Sequence, residues 1–327
     1  MSEIPKRTRK VQNQQESWPF DRLPYAEPYA DLARNSTLNF NKIPLMGFGT
    51  FSVENPMVIF NALSVGYRHL DLAESYNNLQ HVRQGLSLAF APLSEGGLGI
   101  ERQDVWLTMK IPVKSIKNIN ALLAAVGTDY FDLLLYHFPG SMCDSEAELK
   151  ASWGQMTDQP KSAVRRIGVS NFYAPQLTRL LDICEQFDFE KPFANEIQIN
   201  PYVYHLEKNT MDLCFKNGIQ LIAYSPLGFH ASQLILEDDT LQSIAGTIGI
   251  STAQLALAWL LSKNICVIPK SNSKPRQEEN FRSKEAIYYV LSFSAEMDNI
   301  SEDMDSSDFL LESATKAKED GDKLEWI

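Results

Sequence analysis

The sequence predicts an α/β protein, a single (β/α)8 TIM barrel with a parallel eight-stranded core. Eight short runs read as strands along the 327 residues. Their starts lie 22 to 46 residues apart, and most intervening stretches carry apolar residues at three- and four-residue spacing. Such gaps leave room for the crossover helix that parallel strands require. A chain of this length often forms two domains, but barrels of alternating strands and helices run past about 250 residues as one.

In chain order the strand runs are LMGFGT from Leu45, YRHLDL from Tyr67, VWLTMK from Val105, DLLLYH from Asp132, RRIGVS from Arg165, ANEIQI from Ala194, QLIAYS from Gln220 and CVIPKS from Cys266. Between the fifth and sixth, APQLTRLLDICEQF puts Leu177, Leu180, Leu181 and Cys184 on one helical face. Before the eighth, TAQLALAWLL places Leu255, Leu257, Trp259 and Leu261 more loosely on one side. Both stripes read as core. Ser251 suits an N-cap and Gly218 a helix stop. The glycine-rich SEGGLG (94–99) lacks the lysine and hydroxyl of a phosphate loop, and reads as the loop before strand three.

The ends differ from this middle. Residues 1–37 form a polar N-terminal arm with Lys6, Arg7, Arg9 and Lys10 clustered, 38–300 the barrel, and 301–327 an acidic tail. Residues 302–327 hold nine acidic and three basic side chains, −6 of the total −11. The arm and tail read as solvated segments, with a protein partner as the other use open to them. The negative balance argues against a nucleic-acid surface. There is no run of 18 or more apolar residues, and residues 1–37 lack the apolar stretch of a secretory signal. A soluble cytoplasmic protein, a monomer with no membrane association, is the expectation. Cys143, Cys184, Cys214 and Cys266 lie far apart, without zinc or dithiol spacing, and read as reduced, mostly buried thiols. His69 reads as a hydrogen-bonded core residue, and His81, His205 and His230 lack ligand-spaced partners, so no metal is expected.

Chemistry concentrates at the strand ends. GYRHLDLAESYNN (66–78) brings Asp71 and Tyr76, VWLTMK brings Lys110, and LLLYHFP brings His137. In a parallel barrel these positions converge on the C-terminal face, where active sites lie. Reduction of a carbonyl by a nicotinamide needs a proton donor at the oxygen. Free tyrosine has a pKa of about 10, and a nearby ammonium would lower it by stabilising the phenolate. Lys110, held and kept charged by Asp71, suits that role, and His137 would complete the donor set.

These segments, with PLMGFGTF, DYFDLLLYHFP, RRIGVSNF, ANEIQINPY, YSPLG and PKSNSKPRQEEN in the same order, resemble the aldo-keto reductases over residues 38–296. The resemblance implies Asp71, Tyr76, Lys110 and His137 as catalytic residues, with Tyr76 as general acid in reduction and general base in oxidation. It also implies an NADP(H) site. Tyr224 would stack on the nicotinamide, Ser170 and Asn171 would bond its carboxamide, Thr50 and Asp71 would approach the ribose, and Ser225 and Leu227 would line the pyrophosphate. Lys270, Ser271 and Arg276 match positions that hold the 2′-phosphate, for which a guanidinium, an ammonium and a hydroxyl are physically suited. Glu279 and Asn280 match positions near the adenine.

The chain departs from the family at Asn195-Glu196-Ile197-Gln198, where Asn-Gln-x-Glu is common. Glu196 thus stands at the carboxamide position, and as a carboxylate it accepts but cannot donate. The loops after His137 and after PLG are short, as is the span from Lys110 to His137, so a trimmed helix and a shallow, open substrate pocket are expected. Phe51 and Phe138 are its expected aromatic walls beside Tyr76 and His137. The expected activity is NADPH-dependent reduction of an aldehyde or ketone to an alcohol. The alternative is an NADP(H)-binding sensor or interaction protein on the same barrel.

Overall fold

The computed structural model describes residues 43–303, so the polar arm and all but the first three residues of the acidic tail lie outside the described residues. Eight strands alternate with helices. The first half comprises β1 (Phe48–Gly49), α1 (Pro56–Val65), β2 (His69–Ala73), α2 (Leu79–Phe90), β3 (Trp106–Ile111), α3 (Ile119–Val126), β4 (Leu133–Tyr136) and α4 (Glu146–Thr157). The second comprises β5 (Ile167–Ser170), α5 (Ala174–Phe187), β6 (Ala194–Gln198), α6 (Lys208–Lys216), β7 (Gln220–Tyr224), α7 (Ser232–Leu236), α8 (Asp239–Ile248), α9 (Thr252–Ser262) and β8 (Cys266–Val267). After the last strand come α10 (Lys274–Arg282), α11 (Ile287–Leu291) and α12 (Ser294–Asp303). The last of these runs across the expected boundary at residue 300.

Neighbouring strands pair in parallel, in the order β1 to β8. A parallel bridge between Met46 and Val267 joins the two ends, with the Gly47 N–H donating to the Val267 carbonyl at 2.8 Å. All eight sequence runs contain a strand, seven of them shorter than the run and β3 equal to it in length but shifted by one residue. The (β/α)8 barrel is the observed architecture, and the span between Lys110 and His137 holds a helix of only eight residues.

The helices follow their sequence cues in most places. On α5, Leu177, Leu180, Leu181 and Cys184 are buried together with Ile183. Ser251 caps α9 in a capping box: its hydroxyl accepts from Gln254 N–H at 3.2 Å, and the Gln254 side chain accepts from Ser251 N–H at 3.1 Å. Gly218 follows α6 at φ 69°, a left-handed conformation that glycine adopts at no cost because it has no Cβ. One helical reading needs correcting. Every residue of α9 from Thr252 to Leu261 is buried, so it has no stripe. Packing of α8, α10 and α11 against it covers the face that an amphipathic helix would leave to water.

Two apolar clusters divide the core. One lies between strands and helices, and the other fills the barrel with Trp106, Leu133, Leu135, Ala194, Ile222, Cys266 and Ile268. Side chains alternate across a strand. The inward set on β3 is therefore Trp106, Thr108 and Lys110, on β2 His69 and Asp71, and on β6 Ala194 and Glu196.

The lower inward layer is polar but satisfied. His69 is fully buried, its Nε2 2.9 Å from Thr108 Oγ1 and its Nδ1 3.3 Å from the Pro44 carbonyl. Trp106 Nε1 donates to the same Thr108 oxygen at 3.1 Å. Burial pushes the His69 imidazole down to about 3, with Lys110 acting in the same direction. His69 is the core residue expected from its register with Asp71. Cys184, Cys214 and Cys266 are buried free thiols, and Cys143 is half-buried. Among the described residues, no single helix is long and apolar enough to cross a membrane.

Candidate active site

Two residues above the His69 layer, the inward side chains become charged. Asp71 lies in the middle of β2 and not at its end as expected, because the strand continues through Ala73, which pairs with Lys110. Lys110 is the fifth of six residues in β3. Its ammonium donates to Asp71 Oδ2 and, at 2.7 Å, to Glu196 Oε1. All three side chains are 1–2 % exposed. Asp71 Oδ1 and Glu196 Oε2 are buried and have no protein partner.

Tyr76 ends the short 3₁₀ turn Glu74–Tyr76 that follows β2, and is half-buried. Lys110 Nζ lies 5.3 Å from its ring centroid. His137 stands one residue beyond β4, where its backbone N–H donates to the Ile111 carbonyl at 2.9 Å. Its ring is 6.0 Å from that of Tyr76, and its Nδ1 is 3.4 Å from Ser75 Oγ. The four residues thus meet at the C-terminal mouth of the barrel.

Charge states follow from burial and from neighbours. Burial opposes the Lys110 charge, but Asp71 and Glu196 outweigh it and hold the ammonium well above its ordinary range. Burial raises both carboxyls despite Lys110, and Asp71 raises Glu196 further, to about 8. One cation cannot keep two adjacent buried carboxylates ionised. The Asp71–Glu196 pair therefore holds a proton to higher pH than an ordinary carboxyl would, with Glu196 pushed up the further by its neighbour.

Tyr76 differs from expectation. Lys110 does pull its phenol down, but burial, Asp71 and Glu196 together win and raise it. The phenol stays protonated, which is the state a proton donor needs. Burial and Lys110 push His137 down to about 2, so its imidazole is neutral and bonds as a neutral donor or acceptor.

The expected cofactor residues form two groups. Around the mouth, Thr50 Oγ1 donates to the Asp71 carbonyl at 2.7 Å and Ser170 Oγ to the Glu196 carbonyl at 2.9 Å. Asn171, at φ 61°, donates to the His137 carbonyl at 2.9 Å and accepts the Tyr224 hydroxyl at 2.9 Å. This chain of bonds fixes the Tyr224 ring at the rim as a planar platform. Ser225 and Leu227 lie on the loop after β7, both half-buried, and Gly228 N–H bonds back to the Ser225 carbonyl at 2.9 Å.

The second group follows β8. Lys270 and Arg276 are exposed, and the Ser271 hydroxyl accepts from Ser273 N–H at 3.1 Å. Asn280 is buried. Glu279 Oε1 accepts the Ser251 hydroxyl at 2.5 Å, next to the cap of α9. Glu196 is the larger departure from expectation, since its Oε1 reaches Lys110 and only Oε2 is left to face a carboxamide.

The residues present fit a dinucleotide in two respects. An aromatic platform stands beside an unpartnered buried carboxyl oxygen, and exposed cations lie on the loop and helix after β8. Tyr224, Ser170 and Asn171 would hold the nicotinamide end, and Lys270, Ser271 and Arg276 the phosphate end.

Aromatic side chains line the opening. Phe51 packs edge-on to Tyr76 at 5.2 Å, and Phe138 stacks on His137 at 4.6 Å. Phe229, 47 % exposed, adds a third wall 5.7 Å from Phe51. Sequence reasoning missed it, although an aromatic directly after PLG at the mouth was a usable signal. What the sequence hid was its left-handed backbone, φ 51°, which turns the ring towards Phe51. Ser75 and Gln277 were missed too. The Gln277 amide donates to the Ser271 and Val58 carbonyls at 2.8 and 3.2 Å, tying the loop after β8 to α1.

The family model described as the aldo/keto reductase family matches residues 53–302. The chain is similar to D/L-glyceraldehyde reductase of Hypocrea jecorina, at 34% identity over 77% of this chain and 84% of that protein. It is similar also to glycerol 2-dehydrogenase (NADP(+)) of the same organism, at 33% identity over 77% and 88%. Among solved structures, the aldose reductase of Giardia lamblia superposes with a TM-score of 0.66 at 30% identity, covering 79% of this chain and 92% of that one.

Proposed function

The chain belongs to the aldo/keto reductase family, and on that premise we propose that it reduces an aldehyde or ketone to an alcohol with NADPH, Tyr76 giving the proton. The observation that carries this reading is the convergence at the barrel mouth of Lys110, bonded to Asp71, with the Tyr76 and His137 rings. A bound nicotinamide supplies the hydride for the carbonyl carbon. The Tyr76 O–H protonates the developing alkoxide as the C–O double bond opens, and neutral His137 hydrogen-bonds the same oxygen. Lys110 lies beside the phenol that is left with negative charge, and Asp71 keeps Lys110 in place.

NADPH is preferred to NADH because Lys270, Ser271 and Arg276 offer a dianionic 2′-phosphate two cations and a hydroxyl. Phe51, Phe138 and Phe229 favour a substrate with an apolar side beside the carbonyl. The similarity to a glyceraldehyde reductase adds small hydroxyaldehydes to the candidates. A cytoplasmic monomer is part of this proposal.

The test is to mix the protein with NADPH and a panel of simple aldehydes, glyceraldehyde among them, and to follow loss of NADPH absorbance. Consumption that depends on aldehyde is the expected outcome. The alternative reading, a cofactor-binding sensor, draws on the second carboxyl group at Lys110. A sensor would bind NADPH and change its fluorescence while consuming none.

A further inference from the structure

We propose that Glu196 is a positioning residue for the proton donor: together with Asp71 it grips Lys110 and so sets the charge that the Tyr76 phenol feels. This rests on the reading of Tyr76 as the donor. Three observations of geometry carry it. Glu196 Oε1 lies 2.7 Å from Lys110 Nζ, which also donates to Asp71 Oδ2, so two neighbouring carboxyl groups share one ammonium. The contact is fully buried, with side chains 1 % and 2 % exposed. Lys110 in turn stands 5.3 Å from the Tyr76 ring centroid, so any change in the balance around its ammonium is felt at the phenol.

The groups facing Glu196 come from five elements. They are Asp71 on β2, Tyr76 on the turn after it, Lys110 on β3, Tyr224 at the end of β7 and Cys266 on β8. Of these only Lys110 is cationic, and Asp71 is the other carboxyl group that bonds it. With Glu196 protonated, Lys110 and Asp71 balance one to one. Loss of that proton leaves two carboxylates on one ammonium, and the surplus negative charge disfavours the phenolate that proton donation creates.

The side chain thus has two working forms. As an acid it can donate as well as accept, like the amide common at this position in the family, and its Oε2 is the atom with no protein partner. As an anion it restrains Tyr76. Proton transfer to the carbonyl oxygen should slow several-fold when Glu196 ionises, because a weaker acid transfers its proton more slowly. The reduction rate should therefore step down as pH rises through about 8.

Glu196→Gln tests this in two ways. First, infrared difference spectra of the cofactor-free protein should show a protonated-carboxyl band lost as pH rises through about 8 in wild type and absent in the variant. Asp71→Asn keeps Glu196 but removes the neighbouring charge, and should move that loss to lower pH. Second, kcat for reduction should step down several-fold over that range in wild type and stay flat in Glu196→Gln. A band unchanged by Glu196→Gln, or pH profiles of one shape in both proteins, overturns the proposal. A uniform fall in kcat with unaltered shape marks a merely structural role, and a change confined to the NADPH KM marks a carboxamide contact; either also overturns it. The infrared result stands even if the protein turns over no carbonyl, so a failure of the reductase reading is distinguishable.

Discussion

Two layers inside one barrel are built by the same strands and behave in opposite ways. In the lower layer, His69 on β2 and Trp106 and Thr108 on β3 are neutral, buried and hydrogen-bonded to one another. In the upper layer, Asp71 and Lys110, each two residues further along its strand from His69 and Thr108, join Glu196 in a charged cluster with two orphaned oxygens. Satisfied polar groups cost the fold little, whereas orphaned buried acceptors are expensive. On the proposed function the lower layer serves stability and the upper one the reaction, in keeping with the division between the bottom and top of such barrels.

Substitutions should separate the layers, and Lys110→Met should have the largest effect. It strips the cation from two buried carboxyls, which should cost about 3–5 kcal/mol of stability and lower turnover about a hundredfold or more. Urea denaturation and steady-state rates read the two losses; a fully active Lys110→Met would erase the distinction between layers. Trp106→Ala should cost about 3–5 kcal/mol as well. Its kcat per folded molecule should stay close to that of wild type, since only the lower layer is touched.

The layers should also answer pH with opposite signs. His69 is held down at about 3 from an ordinary 6.5, so the unfolded chain binds more protons there and stability is lost as pH falls from about 6.5 towards 3. Glu196 is raised from 4.5 to about 8, so the folded protein binds more protons and stability is lost as pH rises across that window. Denaturation midpoints measured across pH should show His69→Gln removing the loss on going down from about 6.5 to 3, and Glu196→Gln the loss on going up from 4.5 to about 8. Smaller again, Thr108→Val leaves His69 and Trp106 without their shared oxygen and should cost about 1–3 kcal/mol, with kcat unchanged. Phe229→Ala should have the smallest effect. It should raise KM for aromatic aldehydes several-fold, and leave small aldehydes and stability as they were.

Much of this was legible in the sequence, for identifiable reasons. Strand runs separated by helix-length gaps fixed a parallel barrel, and alternation put Asp71, Lys110 and Glu196 on inward faces. The same alternation does not say which neighbour a side chain reaches, so the contact of Glu196 Oε1 with Lys110 was not legible in the sequence. The sign of the Tyr76 shift was hidden for a related reason. It is a balance of burial, one cation and two carboxyl groups, and sequence spacing revealed the cation and Asp71 but neither the burial nor the reach of Glu196. The all-round burial of α9 arises from the helices α8, α10 and α11 stacked over it, a tertiary fact that helical periodicity does not contain. Phe229 reaches the mouth through a left-handed turn that its residue type does not announce.

The upper layer as a reduction centre is tested most directly by a single turnover with NADPH deuterated at the transferable position of the nicotinamide. Wild type should place one deuterium on the carbinol carbon of the product alcohol, while Tyr76→Phe should bind the cofactor equally well and transfer it about a hundredfold more slowly or worse. Transfer at the wild-type rate by Tyr76→Phe, or product without deuterium, would contradict the account.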